Sequence, residues 1–392
     1  MVSLLRGFGA VASIGLVYVV YHIYSPAISA EFFLFSSFCA FTSVVLKFGL
    51  DDYILKTFSL TQKLSPLKLV SKATLIALII TLTIVPLIHN YYQFTIPWYY
   101  FLVLPLTVAN SLYSSFFQAR KNFYISLVGS SFIVPLATIT IILSFSPSDL
   151  EGLVSVFCLA IFLQAVFLAC ACINKKIFML PGHDSVVFGK TQTVLWMNSV
   201  IGISGVHLIV LVSGLLMSSD EFSNFVVLLR TCQGSLMALV VINFTFIPYY
   251  RACVVAGRNA ESEALYRRTC FFGLFSTLLL TSFFLVLFQN PFALVPIRFL
   301  EMKANFFLLW PGFAISLCFG SIGYVYILSS RERISTFLGL ATLALQLSLI
   351  GGLNHYSYEM FLILISCSYV LSKSVLYLIY RKYDHFKTFD HV

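Results

Sequence analysis

The sequence predicts an all-α polytopic membrane protein with about twelve transmembrane helices in two six-helix lobes. Three observations carry this reading. Apolar residues make up 59% of the 392-residue chain and charged residues only 10%, with a mean hydropathy of +0.95, whereas a soluble domain carries about 25% charged residues. Apolar runs of the roughly 20 residues needed to cross a bilayer fill almost the whole length. The basic residues between those runs collect on alternate sides, as cytoplasmic loops do.

In chain order the spans lie near 4–24, 30–50, 67–88, 97–118, 123–145 and 151–173 in the first half. In the second half they lie near 193–214, 221–243, 269–289, 304–328, 333–353 and 357–380. No small-residue cleavage pattern follows the first run, Leu4 to Tyr24, so it reads as a retained span. The second opens on Glu31-Phe32-Phe33-Leu34-Phe35 and leaves through Lys47 to Lys56. The third starts among Lys68 and Lys72 and ends at Tyr91-Tyr92. The fourth starts at Trp98-Tyr99-Tyr100 and leaves through Arg120-Lys121. The fifth returns to a Ser-Pro turn before Asp149, and the sixth runs from Glu151 to Lys175-Lys176.

The seventh span follows a polar link with Pro181-Gly182 and Lys190. The eighth opens on Ser218-Ser219-Asp220-Glu221 and empties into a stretch holding Arg251, Arg258, Arg267 and Arg268. The ninth begins directly after those arginines, and the tenth after Arg298 and Lys303. The eleventh starts at Arg331 and Arg333, and the twelfth ends at Arg381-Lys382. With both termini placed in the cytoplasm, eighteen of the 24 basic residues lie on the inner side, two on the outer side, and four inside the spans. Acids and aromatics such as Glu31, Asp220 and Glu301 mark the outer turns.

Glu221-Phe222-Ser223-Asn224-Phe225 opens the eighth span much as Glu31-Phe32-Phe33-Leu34-Phe35 opens the second. Six spans per half is an even number, so the halves share one orientation. They would be related by a pseudo-two-fold axis along the membrane normal, with a path between them. The expected boundaries are residues 1–174 for the first lobe, 175–192 for a cytoplasmic link and 193–392 for the second lobe.

The formal net charge of +9 does not point to nucleic acid, because its distribution is that of topology rather than of a binding face. Most of the nine cysteines lie in apolar runs, and Cys170 and Cys172 lack zinc spacing. No Gly-rich phosphate loop, zinc ligand set or acid pair at depth is present, so no catalytic and no metal residue is assigned. The outer loops are short, the longest running from Gln289 to Lys303. That leaves little room for an enzyme acting on an extracytoplasmic polymer. Asp51-Asp52, at the inner mouth of the second span, reads as solvated carboxylates. Asn110, Gln118, Gln164, Asn198, Gln233 and Asn243 read mainly as interhelical hydrogen-bonding groups.

The charges lying beyond the span ends are all basic: Arg6, Lys47, Arg230 and Lys373. A charge at the bilayer centre costs about 2.5–3.5 kcal/mol, so each should face protein or water. Arg6 and Lys373 lie near inner ends and can snorkel to the headgroups. Arg230 is about nine residues from the outer end of its span, roughly 13 Å at 1.5 Å per residue. It is the strongest candidate for contact with an anionic ligand, with an internal pair to Asn198 or Gln346 as the alternative.

Several stretches together resemble a known family. The E-F-x-x-F opening and Lys47-Phe48-Gly49-Leu50-Asp51-Asp52-Tyr53-Ile54-Leu55-Lys56 are similar to the start of bacterial polysaccharide flippases. These are the Wzx-type, O-antigen members of the multidrug/oligosaccharidyl-lipid/polysaccharide (MOP) exporter superfamily. Phe117-Gln118-Ala119-Arg120-Lys121 resembles their short fourth-to-fifth inner loop. Phe246-Ile247-Pro248-Tyr249-Tyr250-Arg251, with Arg267-Arg268 beyond, resembles the loop after their eighth helix. Phe33 and Ser223 stand where the family usually has glycine.

The resemblance implies a flippase in the bacterial inner membrane that moves undecaprenyl-diphosphate-linked oligosaccharide from the cytoplasmic to the periplasmic leaflet. Arg6, Lys47 and Arg230 lie on the helices whose basic residues engage the lipid diphosphate in that family. No cofactor is expected, and coupling to an H+ or Na+ gradient stays open. Expected partners are the lipid-linked substrate, membrane lipids, a polysaccharide polymerase and a chain-length regulator. The alternatives are a cation-coupled multidrug antiporter of the same superfamily, disfavoured by the lack of a central Asp or Glu, and a membrane polysaccharide polymerase or ligase.

Overall fold

A computed structural model describes residues 2–54, 66–92, 95–120, 122–175, 190–236, 246, 249–250, 252–254, 256–289, 297–328, 332–352 and 357–382. Those residues are helical throughout apart from turns, and contain no strand. All twelve expected spans have helical counterparts. In the first half these are α1 (Val2–Ile23), α2 (Pro26–Leu46), α3 (Pro66–Tyr92), α4 (Val103–Ala119), α5 (Phe123–Phe145) and α6 (Leu150–Asn174). In the second half α7 covers 190–216, followed by α8 (Ser219–Ser235), α9 (Asn259–Leu287), α10 (Lys303–Cys318), α11 (Glu332–Gly351) and α12 (Tyr358–Lys382). Among the described residues, nine helices are long and apolar enough to cross a membrane. The fold class read from the sequence is therefore the one observed.

The helix ends follow local chemistry. Ser25 caps α2, accepting a hydrogen bond from the Ile28 amide, and Pro26 takes the first helical position, where its missing N–H costs nothing. Asp149 caps α6 through the Gly152 amide at 3.0 Å. Ser218 caps α8: its hydroxyl accepts from the Glu221 amide and donates to the Glu221 carboxylate at 2.8 Å. These caps satisfy amides that helix geometry leaves open.

Two π-helical turns interrupt the spans, Val128–Phe132 in α5 and Ser204–Leu208 in α7. Such a turn disturbs the regular ladder and leaves carbonyls to be satisfied from elsewhere. In α5 a side chain of α6 does this, since the Gln164 amide donates to the Gly129 carbonyl. Asn110 of α4 then donates to Gln164 at 2.8 Å and to the Ile161 carbonyl at 3.2 Å. The expected interhelical role of these two amides is what the structure shows.

The chain divides into two compact units, Met1–Ser223 and Asn224–Val392. In the first, Leu69, Val70, Ala73 and Ala77 of α3 pack on Val108, Leu112 and Phe116 of α4, together with Leu46, Leu50 and Ile54. The expected link, 175–192, falls almost entirely outside the described residues. By compactness α7 groups with α1 to α6, and Leu34 of α2 closes on Gly214.

In the second unit α10 and α12 are in close contact. Gly312 donates its amide to Ser366 Oγ at 2.8 Å, and a Cβ there would stand 2.7 Å from the Ser366 Cα. Phe284, Phe306 and Trp310 stack between α9 and α10, and the Trp310 indole donates to Thr281 at 3.0 Å. Close backbone approach of this kind replaces the hydrophobic drive that lipid cannot supply.

Gly312→Ala should therefore lower the thermal unfolding midpoint in detergent, by an amount equivalent to about 1–3 kcal/mol of overpacking. Gly202→Ala, where a Cβ meets nothing within 4 Å, should be neutral or slightly stabilising. Equal midpoints for the two variants would contradict the packing account.

Candidate functional site

The second unit holds a polar strip built from α8, α11 and α12. Around Arg230, α8 is apolar on most sides, with Phe225, Val226, Val227, Leu228, Leu229 and Cys232 all buried. A guanidinium in such a helix needs polar neighbours, because leaving its donors unmet in an apolar medium is costly. One is Gln233, one turn on, whose Oε1 accepts from Arg230 Nη1 at 3.3 Å. Another is Tyr369 of α12, close enough for its hydroxyl to feel the guanidinium charge.

Tyr369 lies within reach of the Gln233 and Gln346 amides and packs its ring on Phe313, centroids 4.4 Å apart. Gln346, only 2% exposed on α11, donates to Ser368 at 2.9 Å. Lys373 follows Tyr369 by one turn on the same helix, its Nζ beside Gly323. Among the described residues Lys373 makes no ion pair. Beyond Asp220, Glu221, Glu332 and Glu359 at their first turns, α8, α11 and α12 contain no acid, so the charge along this strip is positive.

Two of the four sequence candidates, Arg230 and Lys373, thus share one strip. Lys47 is elsewhere, in the first unit, and 7% exposed. Its ammonium pairs with Asp51 at 2.6 Å and donates to Ser111 of α4 at 3.0 Å. Its charge is already answered inside the protein. Arg6 lies on α1, and its side chain is outside the described residues.

The expected solvated character of Asp51-Asp52 is corrected here. Asp51 holds Lys47, and Asp52 accepts from Ser199 of α7 at 2.6 Å. Burial, followed by the neighbouring Asp51 charge, pushes the Asp52 carboxyl above the usual carboxylate range, while Ser199 and Lys47 act the other way.

Sequence reasoning missed Tyr369, one of 21 tyrosines with no local signal, since its partners come from other helices. Gln233 was legible as a partner of Arg230 from its i,i+3 spacing. Lys47 and Asp51 pair across the turn that follows α2, where Phe48 and Gly49 have positive φ, so helical spacing does not give this pair.

No family model matches the chain, and no curated protein matches it. Solved structures match over nearly its full length. An inward-facing multidrug resistance MATE family transporter of the MOP superfamily aligns with a TM-score of 0.73 at 11% identity, covering 98% of this chain and all of that one. A MOP superfamily transporter from Pyrococcus furiosus aligns with a TM-score of 0.69 at 12% identity, covering 98% and 95%. A Vibrio cholerae MATE transporter aligns with a TM-score of 0.66 at 14% identity, covering 97% and 95%. The fold of this multi-pass membrane protein is that of MOP superfamily transporters.

Lys47→Ala should destabilise the first unit by about 3 kcal/mol, since it strands the mostly buried Asp51 carboxylate. Lys47→Ala/Asp51→Ala should recover part of that loss. Thermal unfolding of the purified variants would show this, and a double variant less stable than the single one would rule out the buried pair.

Proposed function

We propose that this chain is a carrier, and that it moves undecaprenyl-diphosphate-linked oligosaccharide from the cytoplasmic to the periplasmic leaflet of a bacterial inner membrane by alternating access. The observation that carries the reading is the positive, acid-free strip around Arg230 and Lys373. A diphosphate offers paired anionic oxygens, which a guanidinium meets with two parallel N–H bonds. Away from bulk water such contacts are stronger than at a surface. The amides of Gln233 and Gln346 and the Tyr369 hydroxyl add neutral donors and acceptors suited to sugar hydroxyls.

Orientation follows from the basic loops, which place both termini in the cytoplasm. Lys47, compensated by Asp51, plays a structural part in this reading, and Lys373 joins Arg230 in meeting the anion. A polysaccharide polymerase and a chain-length regulator would receive the translocated product.

The fold likeness to multidrug MATE transporters supports a second reading, cation-coupled drug antiport. Charge favours the first, because a cationic drug would be repelled by this strip. For the Pyrococcus furiosus transporter, reversed polarity of the binding pocket suggests a different function.

In a flippase-null strain complemented by this chain, Arg230→Ala should abolish surface polysaccharide while the protein still reaches the membrane. Arg230→Lys should keep a reduced fraction, since a point charge remains without the planar fork. Full export by Arg230→Ala would overturn the assignment. Drug resistance without complementation would establish the second reading.

A further inference from the structure

The starts of α4 and α6 carry a cluster that the proposed function does not use. Pro97 leads into a 3-10 turn, Trp98–Leu102, which runs straight into α4. The turn sets Tyr99 and Tyr100 side by side, with ring centroids 4.8 Å apart and planes at 37°. Both phenols donate to Oε1 of Glu151, in the first turn of α6, at 3.0 and 3.2 Å. Tyr100 Oη also lies 2.8 Å from Ser155 Oγ. Because the phenol proton is turned to Glu151, the Ser155 hydroxyl is the donor of that second bond. Almost one turn on, the Cys158 thiol donates to the Tyr100 carbonyl at 3.9 Å.

The dipole of α6 accounts for an acid in its first turn, but not for two phenols gathered onto that acid from another helix. Asp149 already caps α6 and adds a second negative charge beside it. Neither acid makes an ion pair among the described residues. Segments 95–119 and 122–174 contain no lysine, arginine or histidine, so α4, α5 and α6 supply no cation of their own. Glu151, Ser155 and Tyr99 are all exposed.

Below the cluster, α6 continues the same face in apolar residues. Leu159, Phe162 and Val166 follow Glu151 and Ser155 at helical spacing and are 47%, 54% and 44% exposed. From residue 151 to residue 162 the helix rises about 16 Å at 1.5 Å per residue, close to half of the roughly 30 Å hydrocarbon core. A negative, aromatic-rimmed head thus stands over one leaflet's depth of apolar surface. That is the complement of an amphiphile with a cationic headgroup.

We propose that the starts of α4 and α6 bind the ammonium headgroup of a primary-amine phospholipid, with an acyl chain along the exposed face of α6. An ammonium brings three donors and a compact charge. Both phenols use Oε1 of Glu151, which leaves Oε2 to accept from it, and the exposed Tyr99 ring offers a cation–π face. The phenols and Ser155 hold the carboxylate in place without neutralising it. A quaternary headgroup has no N–H to donate, and an anionic one meets the charges of Asp149 and Glu151. On the proposed orientation the lipid lies in the outer leaflet. The inference rests on the membrane fold and needs neither the nature of the cargo nor the role of Arg230.

The purified full chain in detergent can be titrated with phosphatidylethanolamine, phosphatidylcholine and phosphatidylglycerol of identical acyl chains and followed by native mass spectrometry. Phosphatidylethanolamine should be held about tenfold more tightly than the other two. Glu151→Gln, whose amide oxygen still accepts from the phenols, should level the three. Tyr99→Phe/Tyr100→Phe keeps the rings but frees the carboxylate, and should reduce the preference. Leu159→Ser/Phe162→Ser should weaken all three lipids and leave their ranking unchanged, since it touches only the acyl chain. Glycerophosphoethanolamine, the headgroup without its chains, should not displace the lipid at equal concentration. Equal retention of the three lipids by the unaltered chain, a preference that survives Glu151→Gln, or displacement of the lipid by the free headgroup or by a free oligosaccharide would each overturn the proposal.

Discussion

In hydrocarbon a peptide group has no water to turn to, so every N–H and C=O that crosses the membrane must find its partner inside the chain. The rest of this structure depends on that demand. It accounts for helices throughout the described residues, and also for the side chains that repair the places where helices are interrupted. The π-helical turn in α5 is held by Gln164, which is itself held by Asn110. A polar group of α6 is therefore committed to the backbone of α5 and one of α4 to α6, and the apolar surfaces of the three helices pack around them.

The same rule sorts the charges. Lys47 and Arg230 look alike as single cations in apolar helices, yet they are satisfied differently. Lys47 is met by a carboxylate and a hydroxyl within its own unit, which neutralises it. Arg230, in the second unit, has the amide of Gln233 and the phenol of Tyr369 beside it, neutral groups that meet a guanidinium differently from a carboxylate.

Close approach is the third consequence. With lipid on the outside as apolar as the side chains within, helices gain little by hiding Leu or Phe and more by fitting tightly. Gly312 against Ser366 and Gly273 against Leu317 show backbones brought together where a methyl group would not fit. The fold-back after α2 uses the same device, with Gly49 allowing the Trp196 backbone to approach and Asp52 to meet Ser199.

The placement of the helices and the basic character of the membrane-embedded charges were legible in the sequence. Each rests on a property local in the chain: the length of an apolar run, the sign of the charges within it, the Ser218-x-x-Glu221 cap. The pairing of Arg230 with Gln233 was within reach too, since helical spacing brings neighbours together. What only the tertiary structure decided is which groups from distant helices meet each charge. Tyr369 reaches Arg230 from α12 and Ser199 reaches Asp52 from α7, and nothing in a linear sequence states that two distant helices will lie side by side. Hydropathy acts residue by residue and can be read along the chain, whereas the compensation of a charge depends on groups that only packing brings within a few ångströms.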